Sequence, residues 1–358
     1  MGNLSNLFGS RMTLTGGFKN KIINGNFDIW QRGTSFTSLA SGNFTADRFK
    51  WVFNGTMDVA VSKSALVPTY DESGIRNQSS LLMNCQTADT DIDAGNYCFL
   101  MQRIEGYNIK SMMGKSITLS FWVYASLTGT YCISFRNKTS PTLSYVSEYV
   151  VNEVDTWEKK IITLTMHTGE TGTWDFETGE GLSVSWVLAS GSTYQTTTDS
   201  WQSGNYLATS NQVNAVASSD YNFRLANVQL EIGSSATDIE LRSIDQELAL
   251  CQRYYEKSYN LDTAPGTVTA GGQITGVQLN TWDLSGSPFT FKVTKRATPT
   301  STVYSPDTGD SGKLYDTTAD GDIVIASTST QAHLLIYTGG SGTADNKYAL
   351  HWVSDAEI

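Results

Sequence analysis

The chain has 358 residues, enough for about two or three domains with cores of their own. Its formal charge of -11, from 35 acidic against 24 basic residues spread along the sequence, offers no basic stripe for a phosphate backbone or an anionic bilayer. That balance argues against nucleic acid as a partner, and the lack of any apolar run of about 18 residues argues against membrane insertion by a helix.

Charged residues make up 16% and aromatics 11%, with abundant Gly, Ser, Thr and Asn, a mixture that suits turn-rich β-structure. Cys85, Cys98, Cys132 and Cys251 could pair in three ways. Their wide spacing and a start without the marks of a secretory signal favour reduced, buried thiols instead.

Residues 1–20 read as an extension, with Leu4, Leu7 and Phe8 on one helical face before a break at Gly16 and Gly17. Two readings stand: an unstructured leader, or a docking segment that orders on a neighbouring protein. From Lys21 the pattern turns to β. Ile22, Phe27, Ile29 and Trp30 are expected to supply a strand and its packing, with a turn at Asn24-Gly25-Asn26.

The clearest strand covers 115–125. Ile117, Leu119, Phe121 and Val123 point to one face, and Thr118, Ser120, Trp122 and Tyr124 to the other. The first face is core. The second either packs under a covering layer or presents Trp122 and Tyr124 to a sugar ring, whose C–H face stacks on an aromatic while its hydroxyls bond at the edge. Tyr131, Ile133 and Phe135 repeat the alternation, as do Ile162, Leu164 and Met166, and Leu182, Val184, Trp186 and Leu188. Turn signals between them predict a two-sheet sandwich. Phe223 and Leu225 are out of phase with Val228, Leu230 and Ile232, which predicts a bulge near Ala226 and Asn227.

Two loops draw notice. Residues 191–214 carry Tyr194, Trp201 and Tyr206 among Ser, Thr, Gln and Asn, a composition suited to polyhydroxylated ligands and equally to an ordered surface loop. Residues 170–180 include Asp175 and Glu177 in a spacing that fits no EF-hand, so solvated charge is the expectation.

Residues 243–259 are expected to form a single connecting helix. Ser243 and Gln246 make a capping box, and Ile244, Leu248, Cys251 and Tyr255 follow on one stripe. The stripe suits burial on the chain's own sheet or an oligomer seam, with Glu247 and Arg253 pairing across chains in the second case. Residues 260–358 read as a second β-unit, with strands over 273–279, 289–294, 323–326, 334–337 and 348–353.

Catalytic constellations are scarce. His167, His333 and His351 are dispersed. GDSGK at 309–313 resembles the serine loop of chymotrypsin-like proteases but lacks its last glycine and a histidine motif, so it reads as a turn. Acid groups at Asp89, Asp91 and Asp93, and at Asp175 and Glu177, leave a glycosidase as the enzymatic alternative, although such clusters usually mark turns.

The segment VQLEIGSSATDIELRSIDQELALCQRYYEKSY resembles one met in tail-fibre and receptor-binding proteins of tailed bacteriophages and prophages. Gln229, Leu230, Glu231, Gly233, Glu240, Arg242, Glu247, Leu248, Leu250, Cys251, Gln252, Arg253, Tyr254, Tyr255 and Glu256 carry the match. NKIINGNFDIWQRG with TADRF, FKVTKRATPT and LHWVSDAEI are similar to other parts of the same family, the first more distantly to jelly-roll carbohydrate-binding modules.

The resemblance implies an all-β chain: a jelly-roll β-sandwich over 21–242, the helix over 243–259, and a C-terminal β-sandwich-like domain over 260–358. It also implies a homotrimer in the phage tail, assembled in the host cytoplasm, docked to other virion tail proteins through residues 1–20 and binding bacterial surface glycan without bond cleavage. Such jelly rolls often hold a structural calcium. Asn26 and Asp28 are the candidate ligands here, though the later position is an amide, Asn227. No other cofactor is expected. The alternatives are a surface-polysaccharide depolymerase and a purely structural head or tail decoration protein.

Overall fold

In the computed structural model, which describes residues 18–138 and 141–358, strands dominate the regular structure. Leu4, Leu7 and Phe8 of the expected docking leader lie outside the described residues.

The first unit contains β1 (Ser35–Phe36), β2 (Phe49–Asn54), β3 (Asp58–Ser64), β4 (Ser80–Thr87), β5 (Tyr97–Glu105) and β6 (Ser116–Ala125). It continues through β7 (Gly129–Arg136), β8 (Leu143–Val151), β9 (Glu158–Thr165), β10 (Glu180–Ser190), β11 (Trp201–Ser203) and β12 (Asn222–Ile232). One six-stranded sheet runs β1-β3-β4-β12-β6-β9 and the other β11-β8-β7-β10-β5-β2. Consecutive strands such as β4 and β5, β5 and β6, or β9 and β10 belong to opposite sheets. These crossings make the antiparallel sandwich a jelly roll.

The alternation read in the sequence is what fills this sandwich. Ile117, Leu119, Phe121 and Val123 of β6 share a buried core with Tyr131, Ile133 and Phe135 of β7 and with Leu182, Val184, Trp186 and Leu188 of β10. Trp186 sits at its centre, 6.0 Å from the Phe121 ring and 6.1 Å from that of Phe49. The predicted bulge is present: the β12–β6 register slips between Ala226 and Gln229, with Asn227 at φ 50°.

The expected strand at residues 22–30 does not form, although its side chains are buried as predicted. Asn24 and Phe27 both adopt φ 59°, and the Asn24 amide bonds to Ile29 N–H, Ile29 C=O and Asp47 C=O in place of a ladder. Gly25 is required here, since a Cβ would stand 2.1 Å from the Val228 carbonyl oxygen. Trp30 is core, its indole N–H donating to Phe27 C=O at 2.6 Å.

The connecting helix spans Ile244–Gln252 with its Ser243–Gln246 capping box formed, and it stops earlier than expected. Instead of another helical turn, Tyr255–Lys257 forms β13, whose extended aromatic backbone pairs with β21 (Lys347–Asp355). The four-residue oligomer seam needs correcting for the same reason. Cys251 and Tyr255 are buried within their own chain, Cys251 and the partly buried Leu248 against Ile23, Ile29 and Tyr254, while Ile244 is 53% exposed. Glu247 pairs with Arg242 at 3.1 Å and Arg253 with Glu105 at 2.6 Å, so neither is left to pair across chains.

The second unit adds β14 (Ile274–Val277), β15 (Phe289–Thr290), β16 (Thr300–Tyr304), β17 (Lys313–Asp316), β18 (Gly321–Val324), β19 (Ala326–Ser329) and β20 (His333–Tyr337). β21 is its hub and pairs with β13, β14, β16 and β17, while β15, β20 and β19 form a separate small sheet. Val303, Leu314, Leu334, Leu350 and Trp352 centre the core. The strand expected to reach residue 294 ends at Thr290, because Lys292 N–H and the buried Lys295 ammonium turn to the Glu256 carboxylate. In the GDSGK turn Lys313 pairs with Asp310 at 2.7 Å.

The two units are joined by buried polar contacts. Glu105 of β5 accepts from Arg253 Nε at 2.9 Å, Arg253 Nη2 at 2.6 Å and the Tyr254 hydroxyl at 2.7 Å. Arg48 lies over the Tyr254 ring and pairs with Glu357, and the Lys257 ammonium donates to the carbonyls of Gln31, Leu261 and Thr263.

Candidate functional site

On β5 the even residues Cys98 and Leu100 enter the main core, so Tyr97, Phe99, Met101 and Arg103 must face outward. That outer face is apolar as well, because residues from the 191–214 loop fold across it. Leu207 and Ala208 pack on Phe99, Met101, Cys132, Val146 and Val187, with Tyr97, Tyr194 and Tyr206 at the edge. Ser134 and Ser144 hydroxyls fasten the loop by donating to Tyr206 C=O at 2.7 Å and Gly204 C=O at 2.6 Å. At the loop's start Gly191 admits no side chain, since a Cβ would lie 2.0 Å from the Asp93 carbonyl oxygen.

Beside this layer the sheet leaves a cavity of about 230 Å³, lined by Lys50, Tyr97, Phe99, Arg103, Arg136, Glu180 and Tyr194 among others. Tyr194 meets Tyr97 edge-on at 5.0 Å, and Tyr97 lies 5.5 Å from Phe99. Arg136 crosses the floor with its guanidinium 4.9 Å from the Phe99 ring, donating to Asn205 at 3.1 Å and Ser185 at 3.0 Å. Arg103 Nε stands 3.0 Å from the Glu180 carboxylate. The cavity therefore sets the Tyr97 and Tyr194 rings beside fixed guanidinium N–H donors, elements that hold a sugar ring.

The sequence-predicted residues separate into three places. Tyr194 lines the cavity and Tyr206 packs in the same outer layer. Trp201 belongs elsewhere, 5.8 Å from both His167 and Trp174, with its indole N–H donating to Thr165 C=O at 2.9 Å. Trp122 and Tyr124 lie on the outer face of the other sheet, half-buried, with Tyr124 5.5 Å from Trp157 and 4.8 Å under the Arg224 guanidinium. Sequence reasoning missed Lys50, Tyr97, Phe99, Arg103 and Arg136. The available signal was β5 itself, apolar on both faces and so in need of an outer cover.

The candidate calcium ligands Asn26 and Asp28 line one cavity together with Arg242 and Glu247. The Asn26 Oδ1 is buried without a partner, and so are both side-chain polar atoms of Asn227. Arg242 pairs with Glu247, the second carboxylate of that cavity, while the nearby Lys63 ammonium offsets the charge of Asp28. Burial holds the Asp28 carboxyl above its usual range. Among the described residues no group of three carboxylate, histidine or cysteine side chains gathers to hold a metal.

Of the acids of the enzymatic alternative, Asp175 caps a turn. Asp89 accepts from Thr56 N–H at 2.9 Å, Asp175 accepts from Glu177 N–H at 2.7 Å and Gly179 N–H at 3.3 Å, and Asp91 and Asp93 are exposed. The four cysteines are free and buried, and no helix among the described residues is long and apolar enough to cross a membrane.

The chain is thus all-β, with a jelly-roll sandwich as its first unit. No family model and no curated protein sequence matches it. Among solved structures, it is similar in fold to the enzymatically active domain of tailspike protein 4 of bacteriophage CBA120, with 14% identity and a TM-score of 0.33. That overlap covers 60% of this chain and 22% of the tailspike chain. A protein from Bacteroides thetaiotaomicron overlaps 60% of this chain and all of its own, at 11% identity and a TM-score of 0.33. The family 11 carbohydrate-binding module of Clostridium thermocellum, solved with a mixed-linked tetrasaccharide, overlaps 57% of this chain and 99% of its own, at 11% identity and a TM-score of 0.32.

Proposed function

We propose that this chain is a non-enzymatic glycan-binding protein of a bacteriophage tail, which holds host-surface polysaccharide in the cavity on the outer face of the second sheet. The observation that carries the binding is the meeting of Tyr97, Phe99 and Tyr194 with the donors of Arg136 and Arg103 around one opening. The placement on a phage tail, with assembly in the host cytoplasm, rests on the resemblance of residues 228–259, 20–33, 45–49, 291–300 and 350–358 to tail-fibre proteins. Binding rather than hydrolysis is supported by the carboxylates. Glu180 is the cavity's one acid among the described residues and is held by Arg103, whereas glycosidases work with two.

Fluorescently labelled protein should be retained by host cells and by their extracted polysaccharide, without releasing reducing ends. Tyr194→Ala should weaken retention by about tenfold, the loss of one aromatic contact, with the melting temperature little changed. Retention by no cell type, or full retention by the Tyr194→Ala protein, would remove the cavity from the function.

Weak single sites gain strength by repetition, and a homotrimer would supply it. Since Cys251 and Tyr255 are committed to their own chain, a trimer is built on other surfaces, with Leu241 and Ile244 as the exposed apolar residues nearest the helix start. Light scattering should give the mass of three chains at micromolar concentration, and a single-chain mass would sink the trimer.

A further inference from the structure

Resting on that glycan-binding reading and going one step beyond it, we propose that the sugar held in this cavity is acidic, its oxyanion seated on Arg136 and Lys50. Four cations, Lys50, Arg103, Arg136 and Lys138, line the opening against the single carboxylate of Glu180, in a chain whose formal charge is -11. Gathering like charges around so small a space is unfavourable unless something negative joins them.

Arg136 is the strongest sign. It is 8% exposed, its Nη atoms bond only to the neutral side chains of Asn205 and Ser185 and to the Met101 sulfur, and its Nε has no partner. A buried guanidinium without an anion in contact is costly, and its planar fork matches a carboxylate or phosphate better than any hydroxyl. Burial pulls Arg136 down to about 10, which leaves it cationic at neutral pH. Glu180 is the carboxylate whose charge reaches it, and that group already holds Arg103 at 3.0 Å. Lys50 is lowered by burial and by the charge of Arg103, with Glu180 and Asp355 acting the other way. Both cations therefore gain from an added anion. Tyr194 and Tyr97 stand at the same opening to take the sugar ring.

The shared chemistry is an oxyanion on a sugar, whether a uronic-acid carboxylate or a phosphate ester. The test uses the full chain and surface polysaccharides extracted from a panel of bacterial strains. Each polymer that the protein retains is measured untreated, after chemical reduction of its carboxyl groups to alcohols, and after removal of its phosphate esters. One of the two treatments should weaken retention by about tenfold, the worth of a charge-assisted contact, and which one does so names the anion. Raising NaCl from about 0.05 M to about 0.5 M should shrink the advantage of the untreated polymer. Lys50→Gln, at a half-buried site, should reduce it severalfold with folding intact, and Arg136→Gln should reduce it further.

A polymer retained equally after both treatments, in a Tyr194-dependent way, would overturn the acidic preference and leave the glycan reading standing. The preference falls likewise if neither Lys50→Gln nor salt alters it. Retention of no polymer at all would bring down the glycan reading, and this inference with it.

Discussion

Glu105→Gln should lower stability by about 3 kcal/mol, the low end of the roughly 3–5 kcal/mol cost of breaking a buried ion pair. The carboxylate is 1% exposed and accepts three bonds, two from Arg253 and one from the Tyr254 hydroxyl. Glutamine keeps the volume but removes the charge, and it turns one acceptor into a donor that faces other donors. Arg253 is 32% exposed, so water recovers part of its lost partner, which places the effect at the lower end. The shift in urea midpoint measures it. A loss below about 1 kcal/mol would show that the junction does not depend on this group. Adding Arg253→Gln to Glu105→Gln should restore part of the loss, because the unpaired charge is then gone.

Trp186→Ala should cost about 3–5 kcal/mol, the usual range for deleting a large buried aromatic. The ring is fully buried between the sheets, against Phe49 and Phe121. Trp186→Phe should cost much less, under about 1.5 kcal/mol. The indole N–H of Trp186 has no hydrogen-bond partner, so phenylalanine removes an unsatisfied donor while leaving a smaller void. Equal losses for the two variants, by thermal or urea unfolding, would contradict that assignment.

What could be read in the sequence was whatever follows from a local period. The β6 alternation, the phase slip at Ala226 and Asn227, and the Ser243–Gln246 capping box all depend on residues within one element, and all three are in the structure. The helix end was not legible, because Tyr255 joins β21, whose residues are about a hundred positions away. The cavity was half legible. Tyr194 stood out by the composition of its loop, whereas Tyr97 and Phe99 were hidden in a strand with two apolar faces, where periodicity cannot separate core from covered surface. Trp201 drew attention for the same reason as Tyr194, but its partners His167 and Trp174 come from a different loop.

The seam between the units carries a mechanical implication. Lys257 grips three carbonyls and Arg253 and Tyr254 converge on one acid, so a pull on either unit meets short, charge-bearing contacts before it can open the chain between them.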